Sequence, residues 1–527
     1  MKITARVRST NTWPSDSGAI VLAAILIMFV IGLHTLHFSS RNYREDEINT
    51  IHAANVLSAS EVAQWITLEG FHPAAWRVLA TDWVRAFGGY EPVTRYFSTL
   101  FTLITLALVY RLGADLFDQQ TGLIAVLLLG ALPFFQFYGH EFRPYAMLAM
   151  SVAGMQFAFI RWLRHQNFRY ALLYVGFGVA ALNAHFFAVY FLAAQAITAL
   201  ILLKRDRATM IRAVGLFAAI GLSFIPAMLG IVHGALAVSK QGISYGQPSN
   251  ARGLLNLNQN MQGLPILLVP GMLIPVGAIF SFYKYRNPIA ALRFNPEWRR
   301  WYLILMVMFS ILLAFIGNVV LANLTPRNLM IIMPALALLG AYEVRAFRRE
   351  VRSVIVGLLI LMGIIFFYGY APNTPYREIQ AFMSETYRPG DRIITNLNDN
   401  GAAPTAMAYF LMDWLNAEKQ DMFHIAEPGI QATFALPPDP LTIHTSDDDT
   451  QRAAFEQFLE GANRVFFIDY YGPPLYEDKP LTAQYLAWLN VNFTPVRSMT
   501  WMTPIPDSTD PDTYFAVTEY ARQGVNP

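Results

Sequence analysis

Three consecutive carboxylates, Glu45-Asp46-Glu47, follow an apolar run (18–38) long enough to cross a bilayer. Like charges repel, and each carboxylate must be solvated or paired. Such a cluster at the mouth of a span therefore reads as a general base or a cation site. Other groups able to do chemistry lie further along the chain. The segment after the run carries His52, Glu61, Glu69 and Gly70-Phe71-His72-Pro73-Ala74-Ala75-Trp76. Beyond it come Tyr138-Gly139-His140-Glu141-Phe142-Arg143-Pro144-Tyr145, then His185, then Thr325-Pro326-Arg327. Carboxylates, histidines and two arginines are what a transfer from a phosphate-linked group to a hydroxyl needs. A carboxylate takes the acceptor's proton, and forked guanidinium donors hold the leaving phosphate.

Each of these residues also has an ordinary explanation. Glu45 and Glu47 read equally well as solvated loop acids, and His72 before Pro73 as a helix-start residue. Glu141 and Arg143 fit an ion pair at a helix end. Arg327 fits a snorkelling interfacial anchor, and His185 an interfacial histidine. Met and Phe stripes in the apolar runs are packing, and Asp447-Asp448-Asp449 is a solvated turn and helix start.

The elements that must position these groups are membrane spans. Of the 527 residues 55% are hydrophobic and 14% charged, and mean hydropathy is +0.35. Soluble domains carry about 25% charged residues, so the balance is that of a polytopic membrane protein. A net charge of +2 and the lack of a one-sided basic patch give no nucleic-acid signature. There is no cysteine, which excludes disulfides, thiolate metal sites and cysteine nucleophiles. A window of about 20 residues picks out eleven spans: 18–38, 94–113, 121–138, 144–163, 169–183, 185–203, 211–233, 262–283, 301–322, 328–345 and 353–370. The first is too long for a signal peptide and lacks a small-residue cleavage site, so it reads as a retained span.

Alternate loops hold 20 and nine basic residues. The positive-inside rule then puts the N-terminus in the cytoplasm and the C-terminus outside. The first external loop is 39–93, and every group named above falls on the external side. A multi-pass protein of a prokaryotic plasma membrane is expected. From 371 the composition changes: 371–527 has 21 acidic and nine basic side chains and no further span. Helices are expected at Tyr376–Glu385, Thr405–Leu415 and Gln451–Leu459. Strands are expected at Arg392–Thr395, Arg464–Ile468, Val496–Met502 and Tyr514–Val517. The fold class is thus an α-helical membrane module, 1–370, followed by a soluble extracytoplasmic α/β domain, 371–527.

In their order, these motifs resemble the GT-C glycosyltransferases, specifically the dolichyl-phosphate-mannose-protein mannosyltransferase-like (family 39-like) membrane enzymes. That pattern has an Asp-Glu pair in the first external loop, a His-Pro-Pro-Leu-like segment, and an Arg-x-Tyr segment at the start of the fourth span. Here it reads Asp46-Glu47, His72-Pro73-Ala74-Ala75 and Arg143-Pro144-Tyr145. His185-Phe186 is similar to a later His-Tyr/Phe pair, and Arg327-Asn328 to an Arg-Tyr pair before an apolar helix. The likeness covers about 18–345. Ala74-Ala75 and Asn328 depart from it, standing where the family has Pro-Leu and Tyr.

The resemblance implies inverting transfer of a sugar from a polyprenyl-phosphate donor to a glycan, lipid or protein acceptor. It makes Asp46 the general base and Glu47 an acceptor-binding or base-orienting group. Arg143 and Arg327 would hold the donor phosphate, with His72, Glu141, Tyr145 and His185 lining the site. The carboxylates and histidines together could take a divalent metal, but the first loop has no Asp-x-Asp, and metal-independent chemistry is expected. Two other classes compete. A transporter would place ionisable groups at mid-span in paired halves, whereas these acids lie in loops. A cell-envelope scaffold would use the acidic outer domain to bind without turnover.

Overall fold

Apolar stretches and helix-terminating residues cut the first 370 residues into a series of helices. In the computed structural model the described residues are 17–35, 43, 45–69, 73–203, 206–240, 298–321, 324–369, 376–395, 422–424, 449–469, 480–503 and 513–524. The helices are α1 (Ser17–Thr35), α2 (Glu45–Val56), α3 (Ala59–Glu69), α4 (Ala74–Phe87), α5 (Glu91–Leu116), α6 (Gln119–Ala131) and α7 (Pro133–His140). They continue as α8 (Tyr145–His165), α9 (Phe168–Ala184), α10 (Ala188–Leu203) and α11 (Arg207–Lys240). Next come α12 (Trp298–Leu321), a 3-10 turn (Pro326–Ile332), α13 (Met333–Arg345) and α14 (Arg349–Gly369). Ten of the eleven expected spans fall on these helices, and the eighth, 262–283, lies outside the described residues. Five described helices are long and apolar enough to cross a membrane, or six if α6 and α7 form one broken span. The chain is a multi-pass membrane protein.

Local chemistry sets the breaks. Pro133 has no N–H to continue α6, and the third span bends by 73° between α6 and α7 rather than running straight over 121–138. Asp118 caps α6, accepting from the Thr121 N–H at 2.9 Å. Asn167 caps α9 in the same way, accepting from the Arg169 N–H at 2.8 Å. The tenth span opens as a 3-10 turn, not as a regular helix from 328.

By backbone contacts the chain divides into two units. The first comprises 1–37, 96–229 and 235–369. One end of its helices is tied by ion pairs that the sequence did not suggest. Arg161 grips Asp115 with both forks, at 2.5 and 2.9 Å, and Arg345 pairs with Asp118. Arg300 pairs with Glu343 at 2.7 Å. Arg164 and Arg299 donate to the carbonyls of Asp115 and Leu116, so cations close the negative end of α5.

The second unit comprises 38–95, 230–234 and 370–527. Where the sequence suggested an open loop, 39–93, its described part is three helices, α2 to α4, packed on one another. Ser58 and Glu61 form a capping box for α3, with Ser58 N–H to Glu61 Oε2 at 2.7 Å and Glu61 N–H to Ser58 Oγ at 3.2 Å. Arg85 on α4 donates to the Ala54 and Leu57 carbonyls at the end of α2. Trp76, Ala80 and Val84, spaced by four, bury one face of α4. The helix stops at Gly88, whose φ of +97° suits a residue without Cβ.

The C-terminal part of this unit is an α/β sheet of order β2-β1-β3-β5-β4, formed by β1 (Arg392–Thr395), β2 (Met422–His424), β3 (Arg464–Asp469), β4 (Phe493–Thr503) and β5 (Thr513–Arg522). β2, β1 and β3 are parallel, whereas β5 and β4 run antiparallel. Helices α15 (Tyr376–Thr386), α16 (Asp449–Phe458) and α17 (Pro480–Asn492) complete it. Ile394, Val465 and Phe467 pack with Phe455 of α16, with Leu459 just beyond it and with Leu489 of α17. Arg464 ties Asp391 and Glu519 across the strand ends. The sequence missed β2 and α17, and its expected helix 405–415 lies outside the described residues.

Candidate active site

In the first unit, three short connections and the start of one helix supply the site residues. The α7–α8 connection carries Glu141 and Arg143, and Tyr145 opens α8. The α9–α10 link carries His185, and the 3-10 turn carries Arg327. His185 therefore closes α9, its N–H bonded to the Ala181 carbonyl at 3.0 Å, rather than opening the sixth span. These connections meet. The Arg327 guanidinium carbon is 6.0 Å from the centre of the Tyr145 ring. The Tyr145 ring is 5.7 Å from that of His185 and 5.3 Å from that of Tyr138. His185 also stacks on Phe186 at 4.9 Å. Glu141, Arg143, Tyr145 and His185 are all buried, and Arg327 is half-buried.

The electrostatics of this cluster favour an anion. Burial, reinforced by the charges of Arg143 and then Arg327, pushes the His185 imidazole down to about 3. At neutral pH the ring is uncharged. Its Nδ1 accepts the Phe187 N–H at 3.3 Å, which assigns the ring proton to Nε2. The cluster therefore offers two permanent guanidinium charges beside a neutral N–H donor.

The polypeptide around the arginines is held by buried polar side chains. Ser98 on α5 donates to the Glu141 carbonyl at 2.7 Å, and the same oxygen takes the Arg143 N–H at 2.6 Å. Thr102, one turn further, donates to the Gly139 carbonyl. Asn318 at the end of α12 accepts the Leu324 N–H at 2.7 Å, just ahead of the Arg327 turn. Sequence reasoning missed Ser98, Thr102 and Asn318. The readable signal was the spacing Ser98, Thr102, Thr105, which puts three hydroxyls on one face of a membrane-length helix.

In the second unit, Glu45, Asp46 and Glu47 form the first turn of α2. That supplies a structural reason for the acidic run, because carboxylates are stabilised at a helix N-terminus. Asp46 and Glu47 nonetheless differ in environment. Asp46 is half-buried, and its carbonyl accepts from the Thr50 hydroxyl at 2.9 Å. Glu47 is 2% exposed and pairs with Arg95 at 3.8 Å. It is not a solvated loop acid. Arg95 lies 5.5 Å from the Tyr43 ring, and the Tyr43 hydroxyl bonds Thr94 Oγ1 at 2.7 Å and the Gly89 carbonyl at 2.9 Å. In the sequence Arg95 stands out only as one of the nine basic residues of the external loops. His72 lies outside the described residues. Among the described residues, no three His, Asp or Glu side chains are grouped to hold a metal ion.

In the first unit the connecting segments thus gather two arginines, a neutral histidine and the buried Glu141. Comparison with known proteins identifies the fold. Residues 73–231 match the family described as dolichyl-phosphate-mannose-protein mannosyltransferase. ArnT from Cupriavidus metallidurans in the apo state is similar over 96% of this chain and 98% of its own, with a TM-score of 0.61 at 12% identity. The same protein bound to undecaprenyl phosphate gives a TM-score of 0.58 at 11% identity, covering 95% of this chain and 98% of that one. The archaeal oligosaccharyltransferase AglB from Archaeoglobus fulgidus, solved with an inhibitory peptide and a dolichol-phosphate, gives 0.51 at 12% identity over 86% of this chain and 70% of that one. No curated protein matches by sequence. The chain has the GT-C fold.

Proposed function

We propose that this chain is a membrane glycosyltransferase that moves a hexosyl or pentosyl group from a polyprenyl-phosphate donor to an acceptor hydroxyl on the extracytoplasmic face of the plasma membrane. The observation that carries the reading is the meeting of Arg143 and Arg327 around the neutral His185. The family match over residues 73–231 supports it. So does the similarity to a protein solved with undecaprenyl phosphate.

Asp46 is the general base. Its carboxylate takes the acceptor's hydroxyl proton as that oxygen attacks the anomeric carbon from the side opposite the phosphate. The bond from the anomeric carbon to the phosphate oxygen breaks, and its electron pair leaves with the polyprenyl phosphate. A single displacement of this kind inverts the anomeric centre. The leaving phosphate gains negative charge as the bond breaks, and Arg143 and Arg327 are the groups that stabilise it. Glu47, held by Arg95, orients the helix that carries Asp46. His72, Glu141, Tyr145 and His185 line the site. The chemistry is metal-independent, the two guanidiniums serving where a cation would otherwise be needed. The C-terminal domain, 371–527, helps bind the acceptor, and its excess of 21 acidic over nine basic side chains disfavours strongly acidic ones.

Purified protein in lipid, given a panel of radiolabelled polyprenyl-phosphate sugars with and without chelator, tests the reading. Wild type should turn over one donor, and chelator should leave the rate unchanged. Asp46→Asn should bind that donor without turnover, and Arg143→Ala should lose affinity. If no donor binds or turns over, the transferase reading fails and the transporter or scaffold takes its place.

A further inference from the structure

We infer that Ser98, buried on α5 and assigned no role above beyond its hydrogen bond, is a positioning residue for Arg143. The inference rests on the donor-phosphate reading of that arginine. A buried serine in an apolar helix ordinarily gives its proton to the carbonyl four residues back, at no cost to its surroundings. Thr105 on the same helix does this, donating to the Phe101 carbonyl at 2.8 Å. Ser98 instead sends its proton to Glu141, 43 residues away.

The target of that bond is what gives it meaning. The Glu141 carbonyl is the acceptor for the Arg143 backbone N–H at 2.6 Å. Pro144 follows and has no N–H of its own to anchor the turn. The backbone that aims Arg143 is therefore referenced to one oxygen, and Ser98 fixes that oxygen to α5. Thr102 holds Gly139 in the same manner two residues earlier. The end of α7 and the connection to α8 are thus laced to a 26-residue helix through side-chain hydroxyls. Ser98 and Thr102 are 0% and 1% exposed, so water is not available to replace either donor.

Deleting the Ser98 hydroxyl should leave the bundle standing but let Arg143 drift. A phosphate clamp is sensitive to displacements well below the size of the ligand. The test measures the affinity of the purified full chain in lipid nanodiscs for undecaprenyl phosphate. Wild type is compared with Ser98→Ala, Ser98→Cys, Arg143→Ala, the Ser98→Ala/Arg143→Ala double variant and Thr105→Val. Ser98→Ala should weaken binding about 3- to 10-fold, the loss of roughly one hydrogen bond's worth of alignment. Ser98→Cys, a weaker donor of similar size, should fall between the two and guards against a folding defect in the alanine variant. The double variant should bind no worse than Arg143→Ala, because Ser98 acts only through that arginine. Thr105→Val, which loses a buried hydroxyl bonded within its own helix, should bind like wild type. Wild-type affinity in Ser98→Ala, or additive losses in the double variant, would overturn the positioning role while leaving the donor reading intact. Failure of wild type itself to bind undecaprenyl phosphate would overturn both.

Discussion

Replacing Glu47 by Gln separates two roles that the same carboxylate could play. Glu47 and Arg95 have side chains only 2% and 3% exposed and lie 3.8 Å apart. With an effective dielectric constant of about 20, their attraction is about 4 kcal/mol. Breaking a buried pair by removing one partner costs about 3–5 kcal/mol, because the other charge stays buried. Glu47→Gln should therefore remove a large share of a total stability of about 5–15 kcal/mol. Arg95→Met should cost a similar amount, and the Glu47→Gln/Arg95→Met double variant should recover much of the loss. Denaturant titration in micelles reads the stabilities, and donor turnover at saturating substrate reads the chemistry. If Glu47 only orients the helix bearing Asp46, turnover should return along with stability in the double variant. A double variant that is stable but inactive would mean that Glu47 contacts the acceptor directly. A Glu47→Gln protein within about 0.5 kcal/mol of wild type would refute the electrostatic argument itself, since that is the scatter of surface substitutions.

Three further predictions concern the helical unit. His185 is held near 3 while the same group in the unfolded chain titrates near 6.5, so between those values the unfolded state binds the extra proton. Its contribution to stability is fully present above pH 6.5 and falls by about 1.4 kcal/mol per pH unit below it, down to about 3; pH-dependent unfolding should lose this slope in His185→Gln. A Cβ added at Gly317 would fall on the Tyr190 hydroxyl, with the ring carbon that bears it 2.6 Å away. Gly317→Ala should therefore cost about 1–3 kcal/mol, and Tyr190→Phe should restore only part of it, as measured by thermal unfolding. Asn318→Leu leaves the buried Leu324 N–H without its acceptor, at a cost of about 1–3 kcal/mol; undecaprenyl phosphate affinity should fall with it and be retained in Asn318→Asp.

The class of architecture and the inventory of chemistry are legible in the residue pattern alone. Runs of about 20 apolar residues have few alternatives to membrane helices, because every backbone polar group in lipid must be bonded internally. Ten of the eleven expected spans accordingly lie on helices. The strands 392–395 and 464–468 were legible because each is a short apolar run bounded by turn residues. The family resemblance grouped Arg143, Tyr145, His185 and Arg327 with Glu141 and His72. How such residues are used is set by packing between distant segments. The three helices of 45–87 escaped notice because they are only 12, 11 and 14 residues long, and a window set to bilayer thickness passes over them. Glu47 looked like any solvated acid until Arg95, 48 residues away, was seen to bury it. The neutral state of His185 depends on its burial, reinforced by two guanidiniums from different connections, and the Ser98 hydroxyl bonds a carbonyl 43 residues distant. Such pairings act through space between segments far apart in the chain, and local pattern carries no information about distances that only packing fixes.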